Sequence, residues 1–394
     1  MSESISEVEW EIAQESRRRI ILETDGLVPS SASPMLQPWE VYDSTLFDQE
    51  MVRVFGRSWV WLGDTEDLRQ PGDFITGQIG QQAVLVVHTA NGEIKGFLNN
   101  CRHRNVPVLS DTHGNCGSNM TCPYHNWVYN HEGRLIGIPD RVRMYPDGID
   151  TDALGLVPIR IEVAWDKLVF GCLSHRAPSF REWVAPFAER YDRYQLSTFT
   201  RYHRELNQEY PINWKAFVEN SNDDLHVRFV HRRLNSQRRS LDTVVRFEGR
   251  TCSGYKPHPP SFDTSGDRHD LDDEARSGHY ADFIYPNLTP LPYPTLLIMV
   301  RADPIAADRT RLVSRIYGRA RTIEEQVADL ENLELTNKED TDIVTQLMKN
   351  FHSPFYRVGP PSAWEGRAAH VMRLIRQDVA TPLAADEFTT PMTG

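Results

Sequence analysis

Short runs of alternating apolar and polar residues, broken by turn residues, occupy the region between residues 70 and 140. Gly and Asn-Gly turns separate the first three runs, which favours a small antiparallel sheet. Apolar positions at helical spacing precede this region over Thr45–Trp59. The predicted strands are Phe74–Ile79, Ala83–His88, Ile94–Asn99, Trp127–Tyr129 and Leu135–Ile138.

From residue 160 onward, strand-like and helical patterns are mixed. Lys256–Ser277 lacks periodicity and is rich in turn residues, so we predict a long loop there. The predicted strands are Ala164–Phe170, Tyr202–Tyr210 and the hairpin Thr295–Ala302 with Thr310–Tyr317. The predicted helices are Ser179–Tyr191, Trp214–His226, Thr322–Leu335, Asp340–Phe351 and Ala368–Gln377.

These patterns divide the chain into three parts. Residues 1–40 form an N-terminal helix, over Ser4 to about Glu23, and a Pro- and Ser-rich linker. Residues 41–159 form a β-rich domain with a leading helix that packs on the rest of the chain. Residues 160–394 form a mixed domain. The predicted fold class is α+β.

Charge and composition exclude several classes of protein. The 394 residues carry a formal net charge of −12, so nucleic acid and anionic membranes are poor partners. No apolar run reaches the roughly 18 residues of a membrane span, and the N-terminus lacks a secretory pattern. We therefore expect a soluble, cytoplasmic protein.

The five cysteines are an odd number, which favours reduced thiols and metal sites over disulfides.

Two Cys/His pairs, Cys101-x-His103 and Cys122-x-x-His125, are the first constellation with metal-ligand chemistry. A zinc site would close a tetrahedron around one ion, usually with both cysteines in one knuckle. A Rieske [2Fe–2S] centre instead takes two cysteines on one iron and two histidines on the other. Two separate loops that each supply one cysteine and one histidine suit the second arrangement.

The residues around the pairs, CRHRNVP and CPYHNWVYNHEGRL, resemble the Rieske domain of the Rieske non-haem iron oxygenases. The family more often has a small residue where this chain has Asn126. The nearby Cys116 and His113 are predicted to be loop residues, and His131 a solvated turn residue. Cys172 and Cys252 have no metal-like neighbours and are expected to be buried thiols.

A second constellation lies in NWKAFVENSNDDLHVRFVHRR. Asp223 and His226 would be neighbours on one face of a helix, whereas His226 and His231 would lie about 140° apart. A regular helix cannot bring those two rings together, so we predict a π-bulge or a helix end between them. Two imidazoles and one carboxylate form the facial triad of non-haem iron oxygenases. Local geometry admits Glu219 or Asp223 as the carboxylate.

The same stretch resembles the catalytic-domain motif of that oxygenase family, which assigns the carboxylate differently. The family takes it from a C-terminal Glu-Asp-x-x-x-Val pattern, and the match here makes Asp340 the ligand beside His226 and His231, with Asp342 as the alternative. On physical grounds alone, residues 339–342 could equally be an acidic helix N-terminus. The resemblance also implies that Asp223 bridges a ligand histidine and a Rieske histidine of a neighbouring subunit, and Asn220 is a weaker candidate near the iron.

The resemblance implies a Rieske domain inserted before a helix-grip-like catalytic domain, with an antiparallel sheet flanked by helices. It further implies the terminal oxygenase of a multicomponent system, with a [2Fe–2S] cluster and a mononuclear Fe(II) as cofactors. Electrons would come from a separate NAD(P)H-dependent reductase, directly or through a ferredoxin. The expected assembly is a homotrimer, with or without a small β subunit.

The motif from Glu219 to His231 looks most like that of the ring-hydroxylating branch of the family. This resemblance implies an aromatic substrate, including an aromatic acid, for reaction with O₂. Arg228, Arg232 and Arg233 could neutralise a substrate carboxylate or form a solvated basic face. The predicted pocket lies around Leu225, Phe229 and Leu296–Met299. Three alternatives stay open: an oxidative demethylase or quaternary-amine monooxygenase, an electron carrier that uses only the Rieske centre, and a zinc-stabilised binding module.

Overall fold

The computed structural model describes residues 35–231, 244–257, 268, 270–353, 355–362 and 365–388. The predicted N-terminal helix lies outside these ranges, as does half of the predicted loop Lys256–Ser277. The described half shows that the loop prediction is wrong at both ends, because Lys256 and Pro257 belong to a strand and Asp273–Ser277 is a helix. Within them, no helix is both long and apolar enough to cross a membrane.

Three antiparallel sheets and a set of helices confirm the α+β class. The first sheet has seven strands, in the spatial order Val60–Asp64, Leu168–Cys172, Pro158–Ala164, Ile94–Leu98, Gln82–His88, Asp73–Ile79 and His113–Asn115. A smaller sheet contains Met120–Thr121, Val128–Tyr129 and Leu135–Gly137. The boundary after residue 159 stays a prediction, and the first sheet continues past it to Cys172.

The second large sheet belongs to the C-terminal half. Its order is Thr200–Arg201, Arg309–Gly318, Leu296–Ala306, Leu288–Pro292, Gly278–Ile284, Thr251–Pro257 and Val244–Glu248, and Leu206–Tyr210 also pairs with Arg309–Gly318. The predicted hairpin is therefore present, with longer strands than its periodicity indicated.

The α-helices are Pro38–Tyr42, Ser44–Glu50, Arg141–Met144, Phe180–Trp183, Ala185–Tyr194, Trp214–Ser221, Val227–Val230, Asp273–Ser277, Ile323–Asn350 and Gly366–Ala380. A π-helix covers Met51–Phe55, and short 3-10 turns cover Thr65–Asp67, Asp152–Leu154 and Leu196–Thr198. We call Trp214–Ser221 the site helix, Ile323–Asn350 the long helix and Gly366–Ala380 the C-terminal helix.

Strand Gln82–His88 shows how one sheet serves two cores. Val84 and Val86 pack into the larger core, which runs through both halves of the chain. Leu85 and Val87 point to the opposite face and pack into a smaller core that contains Cys101 and Cys122. Because side chains alternate along a strand, the same four residues support the scaffold and the cysteine loops.

Several predicted elements are wrong in their boundaries. The predicted helix Trp214–His226 ends at Ser221, and the predicted strand Tyr202–Tyr210 begins at Leu206. Ala164–Phe170 is not one strand, because the chain turns at Trp165 and Asp166, both with positive φ, and returns as Leu168–Cys172. The two helices expected over Thr322–Leu335 and Asp340–Phe351 are one continuous helix, the long helix.

Candidate metal centres

The loops that carry the two Cys/His pairs share one backbone conformation. In each loop the cysteine N–H donates to the carbonyl five residues on, and the residue four positions on donates back to the cysteine carbonyl. Those fourth residues, Asn105 and Asn126, have φ of 58° and 53°. This left-handed conformation suits glycine and is tolerated by asparagine. The departure from the family pattern at Asn126 is thus compatible with the loop.

The side chains of the two loops converge. Cys101 and Cys122 are buried, and the ring centroids of His103 and His125 lie 4.5 Å apart. Trp127 stacks on His103 at 4.8 Å, so a residue of the second loop fixes a ring of the first. The four predicted cluster ligands therefore lie together in two adjacent loops.

The donor set fits a Rieske cluster. Nδ1 of His103 is buried and has no hydrogen-bond partner among the described residues, as expected of an atom reserved for a metal bond. Burial, followed by the neighbouring His125 and Arg104, lowers the pKa of His103, which favours the neutral ring that binds metals. Two thiols and two imidazoles on matched loops are the ligands that a [2Fe–2S] Rieske centre requires.

The prediction for His131 is wrong. Its side chain is buried, and Nε2 lies 3.7 Å from Sγ of Cys116, whose thiol also donates to the carbonyl of Gly72 at 3.2 Å. Cys172 and Cys252 are buried, as expected.

A helix end brings His226 and His231 together. The site helix stops at Ser221, a turn follows, and only Val227–Val230 is helical between the two histidines. Asp223 therefore lies in the turn and not on a shared helix face. Of the two predicted irregularities, the structure has the helix end at His231, and the described π-helix lies elsewhere, at Met51–Phe55.

Three side-chain atoms form a nearly equilateral triangle. Nε2 of His226 and Nε2 of His231 are 3.2 Å apart, and Oδ1 of Asp340 lies 3.2 Å from the first and 3.1 Å from the second. Such edges match one face of an octahedron whose centre is roughly 2.2 Å from each corner, the facial arrangement of two histidines and a carboxylate. The residues therefore fit a mononuclear iron.

Of the carboxylates that the sequence offered, Asp340 is the one that lies beside both histidines. Asp340 lies in the middle of the long helix, which begins at Ile323, so its acidity does not complement a helix N-terminus. Asp342 is 58% exposed and forms an ion pair with Lys338, away from the histidines. Glu219 is buried, and its carboxylate accepts the backbone N–H of Leu36 at 2.6 Å.

Two hydrogen bonds from neighbouring side chains restrain the residues of the triangle. Asn220 donates from Nδ2 to Oδ1 of Asp340 at 2.9 Å. Oε2 of Glu339 lies 2.8 Å from Nδ1 of His231, so this ring has a carboxylate acceptor opposite Nε2. Such partners orient ligand histidines and fix their tautomer. Glu339 was missed as a site residue, although its place beside Asp340 and the need of each ligand histidine for an acceptor pointed to it.

Asp223 combines backbone and side-chain contacts. Its Oδ1 accepts the backbone N–H groups of Leu225 and His226 at 2.7 and 3.3 Å, which stabilises the turn. Its Oδ2 lies 3.6 Å from Nδ1 of His226. The Asp223 side chain is one-fifth exposed and can therefore face a partner while it lies beside this ring.

The local field favours positive charge. Burial opposes charge on His226, but the nearby carboxylates of Asp223 and Asp340 outweigh it and raise its pKa to about 9. Burial likewise opposes charge on His231, and Asp340 followed by Glu339 raises its pKa. The two histidines hold the pKa of Asp340 well below its usual range despite its burial. A site whose negative potential raises the pKa of its histidines in this way also attracts a divalent cation.

The predicted pocket is only partly supported. Phe229 is 63% exposed, so it does not line a closed cavity within this chain. Leu297 and Met299 are buried core residues, and Leu225 is half-buried. The structure does not describe the side chain of Arg228. Arg232 and Arg233 lie outside the described residues altogether.

Comparisons with known proteins agree with both centres. Residues 58–151 match the family described as Rieske [2Fe-2S] domain, and residues 190–380 match the family described as ring hydroxylating alpha subunit (catalytic domain). The first match contains both cysteine loops, and the second contains all three corners of the triangle.

Individual relatives cover different parts of the chain. The N,N-dimethyl phenylurea N-demethylase subunit alpha of Sphingobium sp. (strain YBL2) is 28% identical over 231 residues, which are 56% of this chain and 49% of that protein. The biphenyl 2,3-dioxygenase subunit alpha of Rhodococcus jostii (strain RHA1) is 37% identical over 143 residues, or 36% of this chain and 30% of that protein. The alignments thus span half or less of these relatives.

A solved structure extends the likeness to the whole fold. The quaternary ammonium Rieske monooxygenase CntA, in complex with an inhibitor, superposes with a TM-score of 0.76 at 19% identity. The superposition covers 87% of this chain and 95% of that one. Both the sheet domain and the C-terminal domain therefore follow a known arrangement.

Proposed function

This chain belongs to the family of Rieske oxygenase alpha subunits, and from that premise we propose that it is the terminal oxygenase of a multicomponent system. The observation that carries the proposal is the triangle of His226, His231 and Asp340, with edges of 3.1–3.2 Å. When bound, the cluster would supply single electrons and the ferrous ion would bind and reduce O₂.

The residues around the triangle have separate tasks in this proposal. His226, His231 and Asp340 hold the iron, and Asn220 restrains the Asp340 carboxylate through its hydrogen bond. Glu339 keeps the proton of His231 on Nδ1, which leaves Nε2 free for the metal. Cys101, His103, Cys122 and His125 hold the cluster.

We further propose a homotrimer in which Asp223 links two subunits. Its carboxylate lies 3.6 Å from Nδ1 of His226, and one-fifth of the side-chain surface is accessible. The ring of His125 is exposed on the other domain, as a group that meets a neighbouring subunit should be. A separate NAD(P)H-dependent reductase, directly or through a ferredoxin, supplies the electrons, and a small β subunit is compatible with this assembly.

For the substrate we propose an aromatic ring, including that of an aromatic acid. The likeness to the biphenyl dioxygenase subunit and to the ring hydroxylating family supports this choice. The second candidate is oxidation at an N-methyl group or a quaternary amine, which the likeness to the phenylurea demethylase subunit and the quaternary ammonium monooxygenase favours.

Metal analysis tests the class of protein. Purified anaerobically, the chain should contain about three irons and two acid-labile sulfides, against two irons for an electron carrier and zinc for a binding module. His226→Ala should lose only the mononuclear iron and keep the visible spectrum of the cluster. Loss of both metals from this variant would contradict the division into two sites.

Product analysis tests the substrate. The chain is supplied with a surrogate reductase, NADH, O₂ and a panel of aromatic hydrocarbons, aromatic acids, N-methylated phenylureas and quaternary amines. Substrate-dependent hydroxylation of an aromatic ring supports the first candidate. Formaldehyde release or amine oxidation supports the second, and NADH consumption without any oxygenated product in the whole panel contradicts both.

A further inference from the structure

A row of three side chains crosses the second large sheet on the face that the site helix and the long helix cover. Thr289 pairs directly with Val300, and Val300 pairs directly with Ser314. Directly opposed residues of antiparallel strands place their side chains on the same face of a sheet. Thr289, Val300 and Ser314 therefore lie side by side.

Each end of this row contacts one of the two helices. Oγ1 of Thr289 donates to Oγ of Ser221, the last residue of the site helix, at 3.3 Å. Nδ2 of Asn337, in the long helix, donates to Oγ of Ser314 at 3.0 Å. The two helices thus meet the sheet on opposite sides of Val300.

The middle of the row is incompletely packed. Thr289, Val300 and Asn337 each keep 7% of their surface accessible, whereas Ser314 keeps 1%. Because helices cover this face of the sheet, that accessible surface belongs to a cavity between them. The cavity adjoins the iron site, since Asp340 follows Asn337 by three residues, about 4.5 Å along the helix axis.

The side chains beside this cavity present hydrogen-bond acceptors. Oδ1 of Asn337 receives no donor from the described residues, yet it is not among their enclosed atoms without partners, so it is accessible. The Thr289 hydroxyl donates to Ser221, whose own hydroxyl donates to the carbonyl of Val218 at 3.0 Å. The Thr289 oxygen is therefore left as an acceptor.

Resting on the function proposed above, we propose that Asn337 determines substrate specificity by accepting, through Oδ1, a hydrogen bond from a neutral hydroxyl or N–H group of the substrate. A buried acceptor without a donor is unfavourable, so a substrate that supplies the donor gains affinity over one that does not. A carboxylate would meet acceptors here, and a quaternary ammonium has no proton to donate. Among aromatic compounds, the cavity thus favours phenols and N–H compounds over hydrocarbons.

The test compares pairs of compounds that exchange one hydroxyl for a methyl group of nearly the same size: phenol with toluene, and 4-hydroxybiphenyl with 4-methylbiphenyl. Isothermal titration calorimetry measures the dissociation constant of each compound for the oxidised holoenzyme without reductase, so that no turnover occurs. We expect the ratio of the methyl to the hydroxyl constant to be roughly tenfold lower in Asn337→Leu than in the wild type. Asn332→Leu, the same change at an exposed position of the long helix, should leave the ratio unchanged.

Three results would overturn the inference: an equal ratio in Asn337→Leu and wild type, an equal fall in Asn332→Leu, or a wild type that binds neither hydroxyl compound. If Asn337→Leu does not fold, Ser314→Ala replaces it. Loss of the Ser314 oxygen frees the Asn337 amide and should lower the ratio, and an unchanged ratio overturns the inference. The constants do not depend on turnover, so failure of the proposed function is seen separately, as a purified chain without mononuclear iron.

Discussion

Asn105 and Asn126 occupy the left-handed position of the two cysteine loops, where their backbone N–H groups donate to the carbonyls of Cys101 and Cys122. Asparagine tolerates this conformation because its short polar side chain can hydrogen-bond locally. Glycine has no β-carbon and adopts the same conformation without strain. The side chain at each of these two positions therefore affects the stability of its loop.

The positive φ at Asn126 gives a testable stability difference. Asn126→Ala should destabilise the cluster loop by roughly 1–2 kcal/mol, because a β-carbon without a compensating polar group is unfavourable in the left-handed region. Asn126→Gly should be close to neutral. The temperature at which the visible spectrum of the cluster is lost reports the effect. Asn119→Ala, outside the left-handed positions, is the control, and an equal loss in both alanine variants would contradict the backbone argument.

Glu339 gives a second prediction at this scale. Glu339→Gln should weaken retention of the mononuclear iron by about 10- to 100-fold, because a neutral amide is a poorer acceptor for Nδ1 of His231. Competition with an iron chelator measures the retention. Glu334→Gln, an exposed position of the same helix, is the matched control. Unchanged retention in the Glu339 variant would show that this contact does not support the metal.

Strands and helices were predictable where one face is buried and where turn residues mark the ends. Gly278–Ile284 was missed because all seven residues are buried, so no alternation appears. The turn at Trp165 and Asp166 has positive φ at two successive positions without glycine, which removed the usual hairpin signal. The long helix continues through Asn337, whose side chain donates to Oγ of Ser314, because packing outweighs local propensity.

One contact between elements controls the turn that carries Asp223. Arg367 of the C-terminal helix is almost fully buried and donates to the carboxylate of Asp224 and the side chain of Asn222, which flank Asp223. Among the described residues, Lys256 is the other cation that pairs with Asp224, at 3.2 Å, and Arg367→Met would leave this pair alone to offset the buried charge. A buried carboxylate that loses its main partner is strongly unfavourable.

We therefore expect Arg367→Met to cost about 3–5 kcal/mol of stability. Thermal unfolding followed by far-ultraviolet circular dichroism measures the change. Arg373→Met, an exposed position on the same helix, should unfold within about 1 °C of the wild type, since surface substitutions usually cost little. Similar melting temperatures for the two variants would contradict the assigned role of the buried pair.

At the scale of the whole molecule, the two large sheets meet through a network of ion pairs. Asp64 ends the strand Val60–Asp64 of the first sheet and is fully buried. Its carboxylate accepts hydrogen bonds from Arg315 and Tyr317 of the second sheet, and from Arg201. This network could not be predicted from the sequence, because it joins residues up to 253 positions apart.

The ion pairs between the two sheets should make the stability of the fold sensitive to acid. Burial alone would raise the pKa of Asp67, but its hydrogen bonds and ion pair with Arg201 hold that pKa below its usual range. A carboxylate whose pKa is lower in the folded than in the unfolded chain stabilises the fold above its unfolded pKa, about 3.9. This contribution is lost as the pH falls through the folded pKa. Asp67→Asn removes it at every pH.

We accordingly expect Asp67→Asn to melt at a lower temperature than the wild type at pH 7, and the difference to narrow as the pH falls below 4. Melting temperatures measured between pH 7 and pH 3 test this, with the exposed Asp48→Asn as the control for loss of a carboxylate. A difference that stays constant across this range would mean that Asp67 contributes through packing. In that case the charge of Arg201 would not hold the two sheets together at this position.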